Sequence, residues 1–213
     1  MKTRTLLFLT TFAALALMAT AADKKPMNEN TSANSGGAAK TERITFGGGC
    51  FWCIEAVFQR LKGVQTVKSG YAGGKPEDAN YKKVSSGSTD HAEVVQLEFD
   101  PSQVSYEKLL EVFWAAHDPT TLNRQGADVG PQYRSAIFYE NETQKAAAEK
   151  SMAKAQPEFK SPIVTQIAPL TQFHVAEDYH QNYYNQNGDK NPYCQVVIRP
   201  KLQKLLSKGL IKE

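Results

Sequence analysis

Apolar residues fall into short blocks along the chain, and the spacing within each block changes between a two-residue and a three-to-four-residue period. Ile44 and Phe46 alternate with polar neighbours, and Gly47-Gly48-Gly49 then ends the strand pattern in a tight turn. Ile54, Val57, Phe58 and Leu61 follow at i, i+3, i+4 and i+7, so a helix begins close to Cys50, with Gly63 placed to close it. Ser69-Gly70-Tyr71-Ala72-Gly73-Gly74 and the polar stretch to Asp90 read as loop. Glu93-Val94-Val95-Gln96-Leu97-Glu98-Phe99 alternates strictly, with Val95, Leu97 and Phe99 on one face. Tyr106, Leu109, Leu110 and Phe113 repeat the helical spacing and stop before Asp118-Pro119.

Thr120 to Gln132 is polar and reads as a long loop. Arg134–Tyr139 reads as a strand, Glu142–Ala155 as an Ala-rich helix, and Ile163–Ala168 as a strand. Val175–Asn185 has the makings of a short helix, Val196-Val197-Ile198 is strand-like, and Pro200–Ser207 has Pro near a helix start and Gly209 beyond its end. The irregular alternation of the two element types predicts a mixed α/β sandwich with helices covering one central sheet.

The longest apolar run, Leu6 to Ala19, follows Lys2 and Arg4 and is shorter than the roughly 20 residues that cross a bilayer. With Ala19-Thr20-Ala21 after it, it reads as a signal peptide over residues 1–21, so the mature protein is exported, periplasmic or secreted, with no stable membrane insertion after cleavage. No Cys follows the run to carry a lipid. Residues 22–41 are rich in Ala, Asn, Ser, Gly and Lys without apolar period and read as a flexible linker, leaving 42–213 as one domain, expected to be a monomer. The net charge of the 213-residue chain is +3, and the basic residues are scattered, which argues against a nucleic-acid partner.

The sharpest chemical feature is Gly49-Cys50-Phe51-Trp52-Cys53 at a strand-to-helix junction. A thiol there meets free amide groups and the positive end of the helix dipole, both of which favour the thiolate. Two cysteines three apart in a first helical turn fall within the roughly 4.4–6.8 Å between Cα atoms that a disulfide tolerates. A redox pair, a structural disulfide and half of a zinc site all fit a CxxC. A structural zinc, however, wants four N or S ligands, and Cys194 is the only other cysteine. Glu93 shares strand parity with Val95, Leu97 and Phe99. Its carboxyl therefore lies either on the buried face, where desolvation would keep it protonated as an acid, or beyond the strand's end in solvent. His91-Ala92-Glu93 with the CxxC is in the wrong order, and lacks the Pro, for a zinc nucleobase deaminase. His174, Glu177, Asp178 and His180 form a second polar cluster whose spacing matches no strong metal motif, and a supporting or surface role is expected.

Several blocks together resemble one family: Gly49-Cys50-Phe51-Trp52, Ser69 to Gly74, His91-Ala92-Glu93-Val94-Val95, Gln125 to Ser135, and Ala176-Glu177-Asp178-Tyr179-His180-Gln181. In order and spacing, from about Ile44 to Lys201, they resemble peptide methionine sulfoxide reductase A. The resemblance implies an α/β (α+β) two-layer sandwich with a ferredoxin-like core, and reduction of the S epimer of methionine sulfoxide, free or in a protein. By the same resemblance Cys50 attacks the sulfoxide sulfur, Glu93 protonates the oxygen, Tyr81 and Tyr133 hold that oxygen, Asp128 supports the region, and Phe51 and Trp52 receive the substrate methyl group.

A sulfenic acid left on Cys50 needs a second thiol, and both Cys53 and Cys194 are available to resolve it. Many relatives have Gly at the position of Cys53 and resolve with a C-terminal cysteine, and Cys194 could reach Cys50 if it lay on a mobile tail. The turn's proximity favours Cys53. Asp90 replaces a common Gly and, pointing inward, would raise the pKa of Glu93 further. No metal or organic cofactor is expected, and a thioredoxin-like dithiol is the expected electron donor. The whole reads as a repair enzyme for exported proteins under oxidative stress. A thioredoxin-like disulfide oxidoreductase using Cys50 and Cys53 is the alternative, and a tethered zinc-binding or adhesion module a third.

Overall fold

The structure is a computed structural model that describes residues 41–212; the leader and all of the linker but Thr41 lie outside the described residues. β1 (Glu42–Gly48) runs into α1 (Phe51–Phe58), followed by β2 (Val64–Ala72), the short α2 (Tyr81–Ser85), β3 (Ala92–Phe99) and α3 (Tyr106–Ala116). A small hairpin of β4 (Arg124–Gln125) and β5 (Asp128–Val129) precedes β6 (Ser135–Tyr139), α4 (Glu142–Ala155), β7 (Gln166–Pro169) and β8 (Phe173–Val175). The chain ends in α5 (Tyr183–Asn187), a π-helical turn over Cys194–Ile198 and α6 (Arg199–Ser207).

Six strands form one mixed sheet in the order β7-β6-β1-β3-β2-β8, antiparallel throughout except for the β6–β7 pair. Parity assigns its two faces. Ile44 and Phe46 on β1 and Val95, Leu97 and Phe99 on β3 pack with α1, α3 and the C-terminal helix, where Phe46 stacks between Phe58 and Phe113 at 5.4 and 4.8 Å. The opposite face carries a smaller cluster of Ala72, Ala92, Val94, Ala136 and Phe138, so the middle of β3 is buried on both sides. Side-chain caps start three of the helices: Asn80, Ser105 and Asn141 each accept a hydrogen bond from the backbone N–H three residues on. Among the described residues no helix is long and apolar enough to cross a membrane.

The structure differs from the reading of the sequence at several places: α2 lies in the stretch read as loop, and Val175–Asn185 divides between the end of β8, a 3-10 turn over Asp178–His180 and α5. The Gly-rich stretch after Ser69 is the end of strand β2, and the glycine pattern marks close packing there. A Cβ at Gly70 would stand 2.4 Å from the carbonyl oxygen of His174 and 2.4 Å from the Phe173 ring on β8, so only Gly lets the edge strand close. β8 itself is a three-residue strand recruited by that edge and has no periodic signal of its own. Val196-Val197-Ile198 is helical despite its β-branched residues, because Cys194, Ile198, Leu202 and Leu205 lie at helical spacing and are all buried in the main core. Burial of one helical face overrides the local preference for strand. The polar stretch from Thr120 does form a loop, but with the β4–β5 hairpin inside it, turning at Gly126 with φ +61°.

Gly70→Ala should therefore cost about 2–3 kcal/mol through overpacking at the β2–β8 edge. Gly126→Ala, which has open space around it but a left-handed backbone, should cost only about 1 kcal/mol. Urea unfolding of the two variants tests the ordering.

Candidate active site

The site forms where β1 hands over to α1. Gly49 takes φ +93° at the corner, and a Cβ there would strike the side chain of Gln125 at 2.6 Å. Gln125 in turn brackets Asp118: its Oε1 accepts from the Asp118 N–H at 3.1 Å, and its Nε2 donates to the Asp118 carbonyl at 3.0 Å. The glycine thus lets the hairpin that carries Asp128 lie against the turn that presents Cys50. Cys50 is the N-cap of α1 and is buried.

Glu93 is 2% exposed, so of the two alternatives that strand parity left open, the buried one holds. Its Oε2 accepts a hydrogen bond of 3.1 Å from the backbone N–H of Phe51, the residue after Cys50. Burial pushes its pKa up to about 8, the Phe51 N–H pulls against that, and the charges of Asp128 and Cys53 add to the rise. At neutral pH the carboxyl carries its proton. Asp90 is exposed, its carbonyl accepts from Arg134 Nη2 at 2.9 Å, and its charge acts on that guanidinium; the inward placement that would raise Glu93 further does not occur.

Tyr81 and Tyr133 converge on the same point from different loops. Tyr81 begins α2, held by a 2.9 Å bond from its backbone N–H to Glu177 Oε1, and Tyr133 ends a 3-10 turn that follows Gly130. Burial and then the Glu93 charge raise both phenol pKa values, with Cys50 contributing to each. Both are therefore neutral hydroxyls able to donate. Asp128 accepts a 2.6 Å hydrogen bond from Tyr193 Oη, and the same hydroxyl lies 3.6 Å from Cys53 Sγ.

The two thiols of the first helical turn are not equivalent. Hydrogen bonding with Cys50 draws Cys53 down to about 7 against the effect of burial, and the Lys201 charge assists. Cys50 is pushed up, first by burial, then by its bond to Cys53 and by the charges of Cys53 and Glu93. Burial works against a thiolate at both positions, so the helix end alone does not hold one on Cys50; the hydrogen-bonded pair titrates as a unit, with Lys201 and Tyr193 favouring the charge on the Cys53 side. Cys194 is fully buried in the π-helical turn, within reach of the Cys53 charge, and is not on a tail.

Phe51 and Trp52 meet an aromatic cluster. Trp52 stacks on Tyr183 with centroids 3.7 Å apart and planes 7° from parallel, and its Nε1 donates to His180 Nδ1 at 3.2 Å. The His180 ring lies 5.0 Å from Phe51 and 4.3 Å from Tyr81. Burial keeps His180 neutral, so Nε2 carries its hydrogen, and that nitrogen has no hydrogen-bond partner among the described residues. Glu177 bridges Tyr81 and the Tyr71 hydroxyl, 2.8 Å away. His174 faces His91 at 5.5 Å between rings. The polar cluster of 174–180 therefore disperses into separate supporting contacts, and among the described residues no three His, Cys, Asp or Glu side chains converge as a metal site.

Reasoning from sequence missed Glu55, Tyr183 and Tyr193. The two tyrosines carry no periodic signal and join the site only through tertiary contact. Glu55 had a detectable signature: it stands among the apolar positions of α1, where a carboxylate is out of place.

The peptide methionine sulfoxide reductase family model matches residues 42–213. A peptide methionine sulfoxide reductase MsrA of Leptospira borgpetersenii is 54% identical over 168 residues, covering 79% of this chain and 95% of the relative. The reduced form of Mxr1 from Saccharomyces cerevisiae superposes with TM-score 0.69 at 35% identity, covering 73% of this chain and 90% of that one. Mxr1 in complex with Trx2 matches with TM-score 0.51 at 27% identity, over 68% of this chain and 86% of that one. With the family model spanning the whole described domain, and with more than half of the residues identical to a relative over nearly that relative's full length, the chain belongs to the peptide methionine sulfoxide reductase family.

Proposed function

We propose that this reductase acts on the S epimer of methionine sulfoxide with Cys50 as nucleophile and Glu93 as acid. The observation that carries the reading is the buried Glu93 carboxyl bonded to the N–H of Phe51, directly beside the Cys50 cap. Sulfoxide oxygen is a poor leaving group until protonated, and a neutral buried carboxyl can supply the proton. Tyr81 and Tyr133 hold the oxygen with their hydroxyls, Asp128 orients Tyr193 beside the thiols, and Phe51 and Trp52 wall the methyl group.

The thiol pair gives up its first proton near pH 7, and with the shared proton on Cys53 the thiolate is left on the nucleophile, Cys50. Cys50 then attacks the sulfur and takes the oxygen, so methionine leaves and the thiol becomes a sulfenic acid. A second thiol attacks that sulfur, water departs, and a disulfide remains. The hydrogen bond between the Cys50 and Cys53 thiols supports Cys53 as the resolving residue, with Cys194 buried within reach of the Cys53 charge. A thioredoxin-like dithiol protein returns the two electrons, a role supported by the complex of the yeast relative with Trx2. The apolar run behind Lys2 and Arg4 supports export and a role in repairing oxidised methionine outside the cytoplasm.

The test is a single turnover of the reduced protein with S or R methionine sulfoxide and no reductant, followed by mass-spectrometric mapping of the disulfide. Methionine should form from the S epimer alone, with Cys50 joined to Cys53. Cys50→Ser should yield none, and an active Cys50→Ser protein overturns the mechanism. A Cys50–Cys194 bond formed directly in Cys53→Ser would transfer the resolving role to Cys194.

The pH dependence follows from the same groups. The single-turnover rate should rise through about 7 as the thiol pair deprotonates and fall through about 8 as Glu93 loses its proton. Stopped-flow measurement should find the upper limb missing in Glu93→Gln, together with a drop in rate of roughly 100-fold or more. Stability carries the matching sign. A carboxyl whose folded pKa is raised stabilises the fold fully below its unfolded pKa and loses that contribution as pH rises through the folded value. Glu93→Gln should therefore gain on the wild type by roughly 4–5 kcal/mol between about pH 4 and 9, read from denaturant midpoints at the two pH values.

A further inference from the structure

Glu55 is completely buried on α1, the helix that Cys50 caps, and a carboxylate in such a place demands strong partners. It has two. Its Oε1 accepts from the Asn182 backbone N–H at 2.7 Å, and its Oε2 from the Tyr183 backbone N–H at 3.0 Å. Two successive N–H groups can point at one carboxylate because Asn182 adopts the left-handed conformation, φ +52° and ψ 36°, just before α5. The Asn182 side chain is tied back to α1 by a 3.2 Å bond from Gln59 Nε2.

What this arrangement holds is the Tyr183 ring, face to face with Trp52 at 3.7 Å. Trp52 is only half-buried, and the His180 nitrogen that accepts its indole N–H fixes the ring's edge but not its tilt. The plane of the indole is set by the tyrosine beneath it, and the height of that tyrosine by the two bonds to Glu55. A neutral amide would not serve equally: Gln offers one acceptor oxygen and turns its NH2 toward the other backbone donor, leaving that N–H unpaired.

We propose that Glu55 is a positioning residue for substrate selection, holding the Asn182–Tyr183 turn so that Tyr183 fixes the Trp52 indole as the wall that receives the substrate's S-methyl group. This rests on the reading of Trp52 as that wall. Glu55 touches no reacting atom, so its loss should affect binding and side-chain discrimination more than the chemical step.

The experiment compares wild type, Glu55→Gln, Tyr183→Leu and the double variant on the S epimers of methionine sulfoxide and ethionine sulfoxide, with a small dithiol as reductant, and records near-ultraviolet circular dichroism of each. Each single variant should raise KM for methionine sulfoxide about tenfold with kcat within about threefold, and narrow the preference for methyl over ethyl. Both should lose the dichroism of the Trp52–Tyr183 stack, and the double variant should be no worse than Tyr183→Leu alone, because the two act through one contact. An unchanged KM and preference in Glu55→Gln, or effects that simply add in the double variant, would overturn the proposal. Should Glu55→Gln fail to fold, Tyr183→Leu decides: wild-type KM and methyl preference in that variant also overturn it. A Trp52→Phe variant separates the two layers. If it keeps wild-type KM and preference while Glu55→Gln still loses the dichroism of the stack, the assignment of Trp52 as the wall fails, and the proposal of a role in substrate selection fails with it.

Discussion

The hydrogen bond from the Phe51 backbone N–H to the Glu93 carboxyl joins the first turn of α1 to the start of β3, and most of the site's chemistry depends on it. It satisfies one of the free amides at the start of the helix, which would otherwise be buried without a partner. It also brings an acid to the residue beside Cys50. A single amide is too weak to hold the carboxyl ionised against burial, so the group stays protonated at neutral pH. The same bond thus anchors the corner and leaves the acid neutral.

Around that corner the acidic side chains differ in how far hydrogen-bond donors offset their burial. Glu93 has one backbone donor and keeps its proton. Glu177 receives the Tyr81 N–H and the Tyr71 hydroxyl and lies below the usual carboxylate range, whereas at Glu55 two backbone N–H groups oppose a burial that still leaves it raised. Those two carboxylates are structural struts between α1, α2 and the strap from Ala176 to Tyr183. The strap is fastened at another point by Gln181, whose side-chain amide exchanges bonds with the N–H and carbonyl of Ser69 as a neighbouring strand would. One stretch of polar sequence therefore supplies separate fasteners, which is why its acids and histidines do not gather as ligands.

The thiol pair answers to its surroundings rather than to the helix end alone. The helix end acts on Cys50 through free amides, but one of these is already engaged by Glu93, and the helix is short. Cys53, in the same turn, lies beside Tyr193 and within the field of Lys201, both of which favour its charged form. The two sulfur atoms share a hydrogen bond, so the pair gives up its first proton as a unit.

Local pattern determined much of this protein. The period-two run ending at Phe99 placed Glu93 in phase with the buried residues of β3, Glu142–Ala155 has the boundaries its composition marks, and the CxxC at a strand-to-helix junction identified the thiol pair. These signals act over a few residues, within reach of periodicity and capping. Tertiary structure decided what lies far apart in the chain: the bond of Glu93 to Phe51 spans 42 residues and that of Glu55 to Asn182 spans 127. It also made a strand of the Gly-rich segment at Ser69 and a helix of Val196–Ile198, against their local appearance. In both cases the deciding energy is burial against a surface formed by other parts of the chain, on which a residue's immediate neighbours carry no information.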